Sequence, residues 1–263
     1  MTFTHLVVVA IVQGITEFLP VSSSGHLVLI PNMMGWPDHG LAIDIAAHSG
    51  SLLAVLLYFR KDIAKLVNGV TTTNLKEPGK DTKFLGYLFI ASCPTIVAGA
   101  ALVMIEPNLF RNAELIAWAT LVGGLVLYIS DRLTSSQKLL ENMQGSHALL
   151  IGLFQILALI PGASRSGVTI TAGRLCGYSR TEAARFSMLT AIPIIMAACG
   201  YNCFTLLQEG QRVSIVLTLT TTLLAFLASL GAITLMMHWI KRASFTPFII
   251  YRVILGLVLL TLA

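Results

Sequence analysis

A chain of 263 residues with 56% hydrophobic residues, 11% charged residues and a mean hydropathy of +0.82 carries less than half the charge of an ordinary soluble domain, about 25%. Too little polar surface remains to face water on all sides, so lipid must be the solvent over much of the molecule. The formal charge of +5 and pI near 9.2 would suggest nucleic acid for a soluble protein, but the basic residues lie between apolar runs, where headgroups and topology account for them, and no nucleic-acid partner is expected.

In chain order, the first apolar run is interrupted. Residues 6–19 are apolar, Pro20-Val21-Ser22-Ser23-Ser24-Gly25 breaks the pattern, and 26–34 are apolar again. The start has no basic segment and no small-residue cleavage site, so a removable signal peptide is not expected. Runs long enough to cross a bilayer, roughly 20 residues, follow at 41–59, 84–105 and 115–130. A second interrupted segment occupies 148–175, with Pro161-Gly162-Ala163-Ser164-Arg165-Ser166-Gly167 between two short apolar halves. Three further spans lie at 183–207, 213–239 and 248–262. Each half of an interrupted segment is too short to span, and Pro, Gly and Ser end helices or cap the next one. The expectation is an all-α polytopic membrane protein with six transmembrane helices and two re-entrant helical hairpins.

Charge tests this count. With hairpins at both interruptions, the loops 60–83, 131–146, 174–185 and 238–247 share one side and hold 13 of the 17 Lys and Arg residues, while the other side holds Arg111 and Arg212. That bias puts the four loops in the cytoplasm and both termini outside. The interrupted segments also match at an offset of 142: Gln13 on Gln155, Ser22 on Ser164, Ser24 on Ser166, Gly25 on Gly167, Gly35 on Gly177. A single membrane domain, 1–263, is therefore expected to contain inverted repeats of about 1–130 and 147–262, joined by a cytoplasmic loop 131–146.

Polar groups within membrane segments are costly and mark function. Gln13 and Glu17 lie four apart on one helix face, where they could hold a divalent cation or orient a base. Ser22, Ser24 and Gly25, and Ser164, Ser166, Gly167 and Thr169, form Ser/Gly turns that lead into half-helices and suit an anion. Arg165 adds a planar fork for phosphate or carboxylate. His26 is a candidate nucleophile, base or acid, and Ser23 a nucleophile if a base serves it; imidazole attacks more readily near neutral pH, so His26 is the first expectation. Asp44 and His48, four apart, are a weaker signal for capping or support. Arg252 is expected to snorkel to the cytoplasmic interface or to meet an acid. Cys93, Cys176, Cys199 and Cys203 have no metal-site spacing.

The run Gln13-Gly14-Ile15-Thr16-Glu17-Phe18-Leu19-Pro20-Val21-Ser22-Ser23-Ser24-Gly25-His26 resembles the first motif of the bacterial undecaprenyl-diphosphate phosphatases of the BacA/UppP type, and Pro161-Gly162-Ala163-Ser164-Arg165-Ser166-Gly167-Val168-Thr169 resembles their second. The stretch 248–252, after Pro247, resembles the family's C-terminal end. The resemblance implies hydrolysis of undecaprenyl diphosphate and related polyprenyl diphosphates in the bacterial plasma (inner) membrane. It also implies lipid-carrier recycling for wall synthesis, bacitracin resistance, dependence on Mg²⁺ or Ca²⁺, and a cleft open to the outer face; it leaves a homo-oligomer open. One position departs from the pattern: many members begin the first motif with Glu where this chain has Gln13, so one carboxylate, Glu17, serves any cation here. The rival classes are a transporter or lipid flippase, for which broken helices are equally apt, and a binder of lipid diphosphates without turnover.

Overall fold

The computed structural model describes residues 2–37, 40–72, 79–105, 112–209 and 214–262. Arg111 and Arg212, the two charges expected outside, fall beyond the described residues. The described chain is helical: α1 (Phe3–Thr16), α2 (Ser23–Met34), α3 (Leu41–Tyr58), α4 (Arg60–Thr72), α5 (Lys80–Ile105), α6 (Ala113–Leu133), α7 (Gly145–Ile156), α8 (Arg165–Leu175), α9 (Arg180–Gln208), α10 (Ile215–Trp239) and α11 (Thr246–Leu262), with 3₁₀ turns at Leu140–Asn142 and Leu157–Leu159.

Five of these, α3, α5, α6, α9 and α10, are long and apolar enough to cross a bilayer; α1, α7 and α11 are shorter apolar helices. The chain is a polytopic all-α membrane protein. Leu219, Leu223, Leu227 and Leu235 stand more than half exposed along α10, a face that suits lipid and would be a liability in water. Without water to drive apolar association, membrane helices pack by close approach of small residues. The tight α3–α10 contact shows this: a Cβ added at Gly50 would stand 2.3 Å from the Thr222 carbonyl oxygen, and Thr222 Oγ1 donates to Ala46 O at 3.1 Å. Elsewhere α1 packs on α10, α7 on α5, and α6 on α11.

Two details differ from the sequence reading. The expected loop 60–83 contains α4, an amphipathic helix that buries Leu66 while leaving Val67 and Val70 exposed. Its register alternates Lys and Asp with apolar residues at helical spacing, a pattern that charge counting does not resolve. The interruptions are also shorter than 20–25 and 161–167, because helix resumes at Ser23 and at Arg165. Ser22 and Ser164 carry positive φ angles of 72° and 69°, and each hydroxyl accepts from the backbone N–H three residues on, Gly25 at 3.3 Å and Gly167 at 3.2 Å. These are N-caps, so the residues that follow them are first turns of helix rather than loop.

Three of the four basic segments gather at one end. Arg185 on α9 pairs with Asp62 on α4. Arg180, at the start of α9, holds Asp131 at the end of α6 through two nitrogens at 2.8 and 3.0 Å. Buried Arg174 ties the same carboxylate at 3.2 Å and donates to Tyr178 O and Thr134 O.

Candidate functional site at the two helix breaks

The breaks meet. Ser24 Oγ accepts from Gly162 N at 2.8 Å, and Ser166 Oγ donates to Leu19 O at 2.8 Å, so each Ser/Gly turn binds the backbone of the other. The likeness continues within each turn: Ser22 and Ser24 hydroxyls lie 3.2 Å apart, Ser164 and Ser166 hydroxyls 3.1 Å apart. Gly35 and Gly177, also 142 apart, both adopt positive φ just past the ends of α2 and α8, where a helix is commonly closed by a left-handed residue.

The polar cluster is built across this junction. Glu17 follows the last turn of α1, and its Oε2 accepts from Gln13 Nε2 at 2.8 Å. Its Oε1 meets Arg165 Nη2, from the first turn of α8, at 3.1 Å. Both side chains are about nine-tenths buried, so the pair is desolvated and its geometry matters. Arg165 Nη1 donates to Ser187 O at 3.0 Å, and the guanidinium lies over the Phe18 ring. Ser187, on α9, is set by Thr169, whose Oγ1 lies 2.6 Å from Ser187 Oγ. Thr169 and Ser166 are themselves buried, so both act here by fixing Arg165 and the tips.

Two residues weighted lightly or not at all in the sequence enter the site. His48 Nδ1 donates to Asp44 O at 2.9 Å, which leaves Nε2 as an acceptor for Gln13 Nε2 at 3.0 Å; Glu17 Oε2 is 3.8 Å away. The i, i+4 spacing of Asp44 and His48 is the signal that was available, but the contact uses the Asp44 carbonyl. Tyr251 on α11 meets His26: His26 Nδ1 donates to Ser22 O at 2.7 Å, and the Tyr251 hydroxyl donates to Nε2 at 2.6 Å, with near-parallel rings. His26 is therefore held toward α11, with neither nitrogen on Glu17, Arg165 or Ser23. Ser23, at the first turn of α2, makes no hydrogen bond through its hydroxyl among the described residues.

Arg252 corrects an expectation. It is fully buried rather than snorkelling, and among the described residues it pairs with no acid: Nε donates to Thr120 O, and Nη2 to Gly162 O, Ala163 O and Ala119 O. It fastens the second break to α6. Gln155 likewise binds backbone, donating to Ala91 O at 3.0 Å. Its counterpart Gln13 has a carboxylate to bind because Glu17 stands where the second segment has Leu159.

These two tips are the segments that carry the resemblance, and the whole chain follows them. The model of the family described as "Bacitracin resistance protein BacA" matches residues 6–258. The chain belongs to this family. It is 46% identical to an undecaprenyl-diphosphatase of Roseobacter denitrificans over all of this chain and 99% of that protein. It is 44% identical to one of Dinoroseobacter shibae, over 100% and 99%, and 45% identical to one of Maricaulis maris, over 99% and 98%.

Among the described residues no three His, Cys, Asp or Glu groups converge on a metal position. The donor chemistry of the Glu17 cluster nonetheless fits a divalent cation. Gln13 Oε1 is buried without a hydrogen-bond partner among the described residues, and Nε2 of the same amide lies against one carboxylate and one imidazole nitrogen.

Proposed function

We propose that this chain hydrolyses undecaprenyl diphosphate to undecaprenyl phosphate and inorganic phosphate, recycling a lipid carrier and conferring bacitracin resistance. One observation carries the reading: in a BacA-family chain, the carboxylate of one break and the guanidinium of the other meet at 3.1 Å, beside two capped helix N-termini that suit phosphate oxygens. Phosphate release from undecaprenyl diphosphate by the purified protein tests it. Movement of the lipid between leaflets without phosphate release would favour the flippase reading, which the broken helices also suit.

In this mechanism Arg165 and the N–H groups at the starts of α2 and α8 bind the diphosphate and stabilise charge on the transferred phosphoryl. A divalent cation, Mg²⁺ or Ca²⁺, would be held by Glu17 and the Gln13 amide oxygen with the diphosphate, and would supply positive charge there. The polyprenyl tail has a place beside the site. An apolar groove of about 770 Å³ between α1, α10 and the start of α11 is lined by Ile11, Ile15, Leu19, Leu227, Leu235 and Phe248, and Leu19 is two residues from Glu17.

The attacking group is on the first turn of α2. The expectation favoured His26, but Tyr251 occupies its Nε2, and attack by that atom requires the bond to open. The Ser23 hydroxyl has no hydrogen-bond partner among the described residues, and we take it as the nucleophile. Its oxygen bonds to the terminal phosphorus as the bridging P–O bond breaks, undecaprenyl phosphate leaves, and water then releases phosphate from the serine. Both Glu17 oxygens are held, by Gln13 and Arg165, so the hydroxyl proton passes to His26 Nε2 once the Tyr251 hydroxyl turns aside. Rapid quenching with labelled substrate separates the two nucleophiles: phosphoserine survives acid, whereas phosphohistidine is lost in acid and kept in base. Acid-stable label mapped to Ser23 is the expected result; base-stable, acid-labile label on His26 would restore the first expectation.

The architecture we propose around this site has six spans, α11 the sixth, with two re-entrant hairpins at the breaks. The hairpins belong to inverted repeats of about 1–130 and 147–262, joined by 131–146. The matched caps, hydroxyl pairs and C-terminal glycines support the repeat, and the exchange of α1 on α10 for α7 on α5 follows the same pairing. The Asp62–Arg185 and Asp131–Arg180 pairs support a common side for three basic segments, which the charge bias makes cytoplasmic in a plasma (inner) membrane, with the site open to the outer face. Thr72→Cys in a Cys-free background is expected to react with impermeant thiol reagents only from the cytoplasm; labelling from outside would overturn the orientation.

A further inference from the structure

We infer that His48 is a protein ligand of the site's divalent cation, so that this chain binds its cation through one carboxylate, one imidazole and one amide and prefers Mn²⁺ or Zn²⁺ to Ca²⁺. The inference deepens the phosphatase reading and rests on it for the site's purpose, though not for its test.

The geometry comes first. Glu17 Oε2, His48 Nε2 and the near end of the Gln13 amide stand 2.8, 3.0 and 3.8 Å from one another. Three ligands that share one cation with bonds of about 2.0–2.2 Å lie at such separations. The amide end now in the triangle is Nε2, which donates to both other corners and so occupies the place of a positive charge. The other end, Oε1, is buried and has no hydrogen-bond partner among the described residues. A half-turn of the amide exchanges the two and brings an oxygen into the triangle.

The supporting contacts are those of a metal site. A ligating imidazole nearly always donates its second ring N–H to a carbonyl or carboxylate, which fixes the tautomer; His48 Nδ1 does so on Asp44 O at 2.9 Å. A ligating carboxylate is itself hydrogen-bonded through its other oxygen; Glu17 Oε1 is held by Arg165 at 3.1 Å. His48 is one-third exposed, which leaves an approach for the ion. The metal preference follows from the donors. Ca²⁺ favours six to eight oxygens, and one carboxylate with one amide supplies few, whereas imidazole suits Zn²⁺ and other first-row metals.

The test uses full-length, tag-free protein in detergent micelles, Mn²⁺ as the probe, and no substrate. Electron paramagnetic resonance titration is expected to show one Mn²⁺ site that excess Zn²⁺ empties and excess Ca²⁺ at equal concentration does not. Electron spin-echo modulation is expected to show one directly bound ¹⁴N. His48→Gln should abolish that modulation and weaken Mn²⁺ at least about tenfold; His26→Gln should preserve both; Gln13→Glu should tighten binding and keep the nitrogen signal. Mn²⁺ bound without ¹⁴N modulation, modulation that survives His48→Gln, ready displacement by Ca²⁺, or no site below millimolar concentration would each overturn the inference. An intact Mn²⁺ signal in protein that releases no phosphate would fault the phosphatase reading and leave the ligand assignment standing.

Discussion

Arg165→Lys is expected to lower phosphatase turnover at least tenfold while the protein still folds. The guanidinium uses its two ends in different directions, Nη2 toward Glu17 at 3.1 Å and Nη1 toward Ser187 O at 3.0 Å. Lysine keeps the charge but presents it at a point, so it can satisfy one of these partners and not both. The transferred phosphoryl then loses a donor aimed at charge that grows during the reaction, a loss of about 2.7–4 kcal/mol where such donors have been removed from other enzymes. Because that charge develops in the transition state rather than in the bound substrate, the fall is expected in kcat more than in KM. Thr169→Val supplies a graded companion. It removes the hydroxyl that sets Ser187 and also bonds the Arg165 carbonyl while leaving the guanidinium in place, and should give a smaller loss of the same kind. Near-normal turnover of the lysine variant, with phosphate release at the rate of the unaltered chain, would remove Arg165 from contact with substrate.

The sequence made most of this site readable, and the reason is chemical. Gln13, Glu17, Ser22, Ser24, Ser164 and Arg165 are polar residues in segments that otherwise bury apolar side chains, so each stands out from its neighbours. The N-cap serines were found as members of Ser/Gly turns, although the turns are tighter than expected because a serine at positive φ starts the next helix at once. His48 and Tyr251 were harder. Each sits in a separate span, 35 and 225 residues from its partner, and although Asp44 and His48 share a helix face, no local pattern names the distant residue that either one meets. Ser187 was invisible because it acts through its carbonyl. Arg252 was seen and misread: a lone cation near a span end normally reaches for water, and only the three-dimensional meeting of α6, α11 and the second break supplies carbonyl oxygens instead.

Arg252→Met is expected to reduce turnover about a hundredfold with little change in thermal stability, two effects that a simple structural anchor would not separate. The stability side follows from what Arg252 costs. Among the described residues its buried charge has no acid beside it and Nη1 has no partner; burying a lone charge costs free energy, and relief of that cost offsets the lost hydrogen bonds. Of the four carbonyls it binds, those of Ala119 and Thr120 lie inside α6, and Gly162 O also accepts from Thr120 Oγ1, so few acceptors are left bare. The activity side follows from position. Gly162 O and Ala163 O immediately precede Ser164, whose positive φ starts α8 and aims Arg165 at Glu17. Releasing them lets the break shift, and a displacement of about 1 Å at a reacting centre can lower a rate about a hundredfold. Gly123→Ala checks that placement rather than charge is responsible, since a Cβ there would stand 2.3 Å from Arg252 Nη2 and must push the intact guanidinium off the carbonyls. Both variants should therefore lose turnover together. Full activity in Arg252→Met, or an activity loss in Arg252→Met that Gly123→Ala does not share, would show that the clamp does not set the geometry of the site.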